Sequence, residues 1–105
     1  VLERDYQAIL IRKLKTLFPN AIILKNDAQY LQGIPDILIL ENDMWAMLEV
    51  KASSSASVRP NQRYYVEKLA TMSYAAFISP DNEEEILRDL QHAFSFGRPA
   101  RISEC

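Results

Sequence analysis

Glu49 and Lys51 stand one residue apart at the end of the apolar stretch 44–51. Side chains of an extended segment alternate between its faces. Ala46, Leu48 and Val50 then point one way, and Trp45, Met47, Glu49 and Lys51 the other. A carboxylate and an ammonium in such a place are costly to bury without a partner or a use. The bland alternative is a surface ion pair at a strand end. Glu-x-Lys alone favours that alternative, because so short a pattern recurs by chance.

Asp36 shifts the balance. It interrupts the apolar run 34–40, near its start. Glu41-Asn42-Asp43 is a turn signal. If the runs on either side pair through that turn, the start of one lies beside the end of the other. Asp36 then comes close to Glu49 and Lys51. Two converging carboxylates repel unless a cation sits between them. Oxygen donors of this kind suit Mg²⁺ or Mn²⁺, with the backbone carbonyl of Val50 as a third oxygen. A metal in that place would lower the pKa of a water and polarise a phosphoryl oxygen. Lys51 would orient the water or stabilise charge building on the phosphate. The competing role for Asp36 is to cap a turn, which leaves Glu49 and Lys51 unexplained.

The elements that must position these residues follow from periodicity. Residues 3–18 read as a helix, with Ala8, Ile11, Leu14 (or Lys15) and Phe18 at helical spacing and Leu10, Leu14 and Leu17 beside them. Pro19-Asn20 ends it. Residues 21–25 form a short strand, 26–33 a polar connection with a turn at Gly33, and 34–40 and 44–51 two further strands. The serine-rich segment 52–58 is a loop. Pro60 suits the first turn of a helix reaching about residue 72. A strand over 74–79 follows. A last helix then opens near Asp81-Asn82, with Glu83, Glu84 and Glu85 at the positive end of its dipole. The expected fold class is α/β: a mixed central sheet flanked by helices, with the second and third strands antiparallel and the third and fourth joined by a right-handed parallel crossover.

Gly33-Ile34-Pro35-Asp36, thirteen residues before Glu49-Val50-Lys51 when counted from Asp36, resembles the GxPD…ExK signature of PD-(D/E)xK nucleases. The closest resemblance is to the virus-type replication-repair nuclease branch. That branch also has a glutamine at the start of the following helix, where Gln62 stands here. Val66 and Leu69 share its face, so Gln62 points inward at the helix start. The branch further carries an acid in its first helix, matched by Glu3. Gln7 lies one turn on, and Asp5 is the competing choice. The resemblance covers roughly residues 3–79 and implies a restriction-endonuclease-like αβββαβ core. It implies Asp36, Glu49, Lys51, Gln62 and Glu3 as catalytic residues, with a metal on Asp36, Glu49 and the Val50 carbonyl. The sequence departs from the pattern at Arg59, where the family often has a small polar cap, and in its acidic net charge.

The 105 residues amount to one domain: a core over 3–79, a C-terminal helix over about 81–96 and a short tail over 97–105. The net charge is −2, which argues against strong non-specific DNA binding. Its distribution is uneven: cations gather in 1–25 and 51–80, acids in 81–89. Arg59, Arg63 and Lys25 are candidates to hold phosphates. Tyr64 and Tyr65 serve packing or base stacking, while His92 and Trp45 read as structural. The one cysteine, Cys105, excludes an internal disulfide and a cysteine–histidine zinc site, and fits a reducing compartment. No apolar run approaches the ~20 residues that span a bilayer, and the charged, amphipathic opening predicts no signal peptide.

The expectation is therefore a cytoplasmic, Mg²⁺- or Mn²⁺-dependent DNA endonuclease of a bacterium or a phage-infected host. Stand-alone domains of this size in the family resemble Holliday-junction resolvases and act as homodimers. Branched or junction DNA is thus the expected substrate and a two-fold dimer the expected assembly. The alternatives are a DNA-binding or assembly module on the same fold without catalysis, and a protein-interaction domain.

Overall fold

Phe18 precedes Pro19 and accepts no further helical turn, so the first helix stops at Leu17 and the chain turns back into the sheet. The computed structural model describes residues 2–95. The elements run α1 (Glu3–Leu17), β1 (Ile22–Lys25), β2 (Ile37–Glu41), β3 (Met44–Val50), α2 (Pro60–Ala70), β4 (Tyr74–Ile78) and α3 (Glu83–Ser95). The predicted tail, with Gly97, Pro99 and Cys105, lies outside the described residues. None of the described helices is long and apolar enough to cross a membrane.

The protein is a small α/β unit whose four strands form one mixed sheet in the order β1-β2-β3-β4. β1 pairs antiparallel with β2, and β2 antiparallel with β3. β3 and β4 are parallel, joined through α2 as the strand–helix–strand reading predicts. The β2–β3 turn is the two-residue pair Asn42-Asp43, with Glu41 opposite Met44. Asn42 takes φ 55°, a conformation that asparagine tolerates better than most side chains.

The register sorts the side chains. Ile37 faces Leu48, Ile39 faces Ala46, and Val50 faces Ile78. These six are fully buried, and they meet Tyr6, Leu10 and Leu14 of α1 and Ile86 and Leu90 of α3 in one core. α1 and α3 therefore cover one face of the sheet. α2 buries Val66 and Leu69 and packs on β3 and β4. Gln62 of α2 reaches Glu49, whose side chain alternates with Leu48 and Val50. α2 thus lies on the opposite face, the one Glu49 shares.

The structure corrects two details. The buried stripe of α1 is Tyr6, Leu10 and Leu14, spaced four apart, with Phe18 continuing it. Ala8, Lys15 and Leu17 are exposed, and Ile11 is half-buried. The apolar residues of this helix outnumber the positions the sheet can cover, so periodicity alone left its orientation loose by one turn-fraction. The second strand starts at Ile37, after Asp36, because Pro35 has no N–H for a ladder.

The connection 26–36 is held by Gly33, at φ 94°. A Cβ there would also come within 2.8–2.9 Å of Asn61 side-chain and backbone atoms. Gly33→Ala therefore meets both backbone strain and a clash with the start of α2. It should destabilise the fold by roughly 1–3 kcal/mol, read as a lower denaturation midpoint in urea. An unchanged midpoint would mean the 26–36 connection does not press on α2.

Candidate active site

Four side chains named from the sequence meet at one end of the sheet. β3 carries Glu49, and Lys51 follows directly after it. Carried one residue past Ile37–Leu48, the β2–β3 register sets Asp36 across from Glu49. The Asp36 carboxylate does not hang free: its Oδ2 accepts the backbone N–H of Val50 at 2.8 Å. It takes the place that a residue with an N–H and C=O in ladder geometry would fill. A strand residue's N–H and C=O point to the same side. The Val50 carbonyl therefore faces the Asp36 side too, where Pro35 has no N–H to offer it.

Glu49 and Lys51 are buried, at 2% and 8% exposure, as no surface ion pair would be. Their nitrogen–oxygen separation is 3.9 Å, a loose ion pair rather than a hydrogen bond. Gln62 closes the gap. Lys51 Nζ donates to its Oε1 at 2.8 Å, and Gln62 Nε2 donates to Glu49 Oε2 at 3.0 Å. The same Oε1 accepts the backbone N–H of Arg59 at 2.9 Å, which fixes the amide at the start of α2. Only one orientation of the amide serves all three bonds, so Gln62 determines where both charged groups stand.

The two carboxyls disturb each other. Burial first, and then the Asp36 charge, push the Glu49 carboxyl up to about 8. Burial also raises Asp36, against the opposing pull of the Val50 N–H and of Lys51. The pair shares a hydrogen bond when one member holds a proton. Glu3 is raised as well, first by burial, with Lys51 lowering and Asp36 raising it. The first residue of α1 is thus within electrostatic reach of the site. Asp5, its competitor, is exposed and pairs loosely with Arg4 at 4.0 Å.

The donor set suits a hard divalent cation. It offers two carboxylates that destabilise each other when both are ionised, and a backbone carbonyl on the same side. Among the described residues no group of three or more His, Cys, Asp or Glu side chains is arranged to hold a metal. The third oxygen here belongs to the main chain.

The cation candidates divide. Lys25 ends β1 opposite Ile37 and lowers the Asp36 pKa, so it borders the site. Arg59 meets the site through its backbone N–H, with an exposed side chain. Arg63 is exposed one position beyond Gln62. The Tyr64 and Tyr65 rings pack edge to face at 5.0 Å, Tyr64 remaining exposed. Trp45 is half-buried, and its carbonyl accepts the Ser73 hydroxyl. His92 is exposed on α3, across the sheet from Glu49.

Sequence reading missed Asn26. Its backbone N–H donates to the Asp36 carbonyl and its Nδ2 to the Pro35 carbonyl, both at 2.8 Å. It clamps the proline–aspartate step from the β1 side. Its signal was positional: carried one residue past Lys25–Ile37, the β1–β2 register sets Asn26 opposite Asp36.

A folded-state pKa raised from 4.5 to about 8 means that folding favours the protonated carboxyl of Glu49. That stability is complete below about pH 4.5 and is lost as pH rises through 8. In EDTA, the thermal midpoint of the wild type should therefore fall relative to Glu49→Gln between pH 5 and 8. Parallel midpoints across that range would show that Glu49 ionises without strain.

Comparison of the chain with protein-family models, with curated proteins and with solved structures returned no match.

Proposed function

We propose that this protein is a metal-dependent endodeoxyribonuclease of the PD-(D/E)xK kind, on a restriction-endonuclease-like core, hydrolysing phosphodiester bonds in branched DNA such as Holliday junctions. The observation that carries the reading is the meeting at one sheet end of half-buried Asp36 with buried Glu49 and Lys51, the last two bridged by Gln62. A structural ion pair needs no second carboxylate beside it, and a purely structural cluster gains nothing from one whose ionised form burial opposes.

Asp36, Glu49 and the Val50 carbonyl would hold Mg²⁺ or Mn²⁺. When bound, the cation supplies Lewis acidity toward a phosphoryl oxygen and a more acidic water. The residues of the chain do the rest. The Val50 N–H keeps the Asp36 carboxylate aimed, and Gln62 keeps Glu49 and Lys51 in register. The Lys51 ammonium, with donors beyond the one given to Gln62, faces negative charge growing on the phosphate. Lys25 and Arg59 at the rim supply backbone contacts to the strand. Glu3 completes the acidic side. One such centre per chain cuts one strand, so symmetric cutting of a junction calls for a two-fold homodimer.

The test is cleavage of a labelled four-way junction, a nicked duplex and a linear duplex, with and without Mn²⁺. The wild type should cut only with metal. Asp36→Ala, Glu49→Gln and Lys51→Ala should each lose activity by about 10²–10³-fold or more, while keeping the fold by circular dichroism. Binding without cutting by the wild type would instead support a non-catalytic DNA-binding or assembly module. Absence of both would end the nucleic-acid reading.

A further inference from the structure

Residues 26–36 form a closed loop beside the site rather than a slack connection. Its neck is shut by two Asn26 hydrogen bonds, to the carbonyls of Asp36 and Pro35. Its interior is turned on Asp27. The Asp27 carboxylate accepts the Gln29 N–H at 2.9 Å, and its carbonyl accepts the N–H groups of Tyr30 and Leu31 at 3.1 and 3.3 Å. Ile34 then donates to the Leu31 carbonyl at 3.2 Å. On the far side, Gly33 sits against Asn61, the neighbour of Gln62.

At the tip of this braced loop stands Tyr30, 91% exposed. It is the most exposed of the large hydrophobic side chains among the described residues; the next, Met72, is at 60%. Tyr30 packs on little, yet its backbone is held by a chain of hydrogen bonds. It is three residues from Gly33, at most about 11 Å of chain, and Lys25 lies at the loop's neck. An exposed aromatic on a hydrogen-bonded backbone, in the loop that joins Lys25 to Asp36, has the chemistry to recognise an exposed base face. Inside a duplex both faces of every base are already stacked, and a side chain must first unstack them. At a branch point, flap or nick one face lies open.

We infer that Tyr30 stacks on the unpaired or end-stacked base at a DNA branch point and so directs the Asp36–Glu49 centre to branched substrates. This rests on the nuclease reading above and adds to it the residue that selects the substrate's shape.

The experiment compares wild type, Tyr30→Ala and Tyr30→Phe. Binding is measured in EDTA to a four-way junction carrying 2-aminopurine at the branch and to a linear duplex of the same length. Cleavage of both DNAs is measured in Mn²⁺. Tyr30→Ala should bind the junction about tenfold or more weakly, lose the fluorescence change at the branch, and keep the wild-type affinity for the duplex. Tyr30→Phe, which retains the ring, should behave as wild type, and the thermal midpoints of all three should agree. If wild type cuts the junction and Tyr30→Ala matches it in affinity and fluorescence, the stacking role is overturned and the nuclease reading stands. If Tyr30→Ala weakens junction and duplex alike, Tyr30 contacts DNA without reading branches, and the inference falls. If wild type neither binds nor cuts any DNA, both readings fall together.

Discussion

Two carboxyls, one buried and one half-buried, forced into one corner govern this molecule. Like charges about 4 Å apart repel by roughly 4 kcal/mol at the effective dielectric of a protein near its surface. A hydrogen bond to a charged group returns only about 1.5–3 kcal/mol. The bonds that Val50 gives Asp36 and Gln62 gives Glu49 therefore hold the groups in place without making both comfortable as anions. Without a cation, burial and then the Asp36 charge favour the protonated carboxyl of Glu49 below about pH 8. Lys51 alone does not cancel the repulsion, because it stands 3.9 Å from Glu49 and gives its hydrogen bond to Gln62.

The rest of the fold keeps that corner from relaxing. β3 is an inner strand, paired on both sides, so Glu49 cannot swing outward without breaking the sheet. The opposite face of β3 is filled by Ala46, Leu48 and Val50 against α1 and α3. A one-residue slip would send Glu49 into that apolar core and Leu48 toward α2, so the apolar packing itself defends the position of the acid. Pro35 keeps β2 from starting earlier, and Asn26 pins the bend from the other side. This corner is thus a place where the ladder is interrupted and the Asp36 carboxylate takes up the Val50 N–H.

The polar contacts between α1 and α3 belong to the same economy of parts. Glu83, at the start of α3, accepts the Tyr6 hydroxyl at 2.7 Å and pairs with Lys13, so its carboxyl is lowered by those two partners against the effect of burial. This ties the first and last described helices together over the core.

Much of this was legible in the chain. Alternation along 44–50 put Glu49 opposite the apolar face, the Asn-Asp turn implied the antiparallel pair, and counting back across it brought Asp36 to Glu49. The family resemblance singled out Gln62, and its spacing to Val66 and Leu69 turned it inward. Those inferences succeed because strand alternation and two-residue turns are local rules with little freedom. What the chain could not decide is set by contacts distant in sequence. Which apolar stripe of α1 is buried depends on the sheet it meets. That Gln62 bridges Lys51 and Glu49, that Asn26 clamps the proline–aspartate step, and that burial lifts Glu49 rather than leaving an exposed ion pair, all require the third dimension. Desolvation and hydrogen-bond geometry are properties of surroundings, and only the assembled sheet and helices supply them.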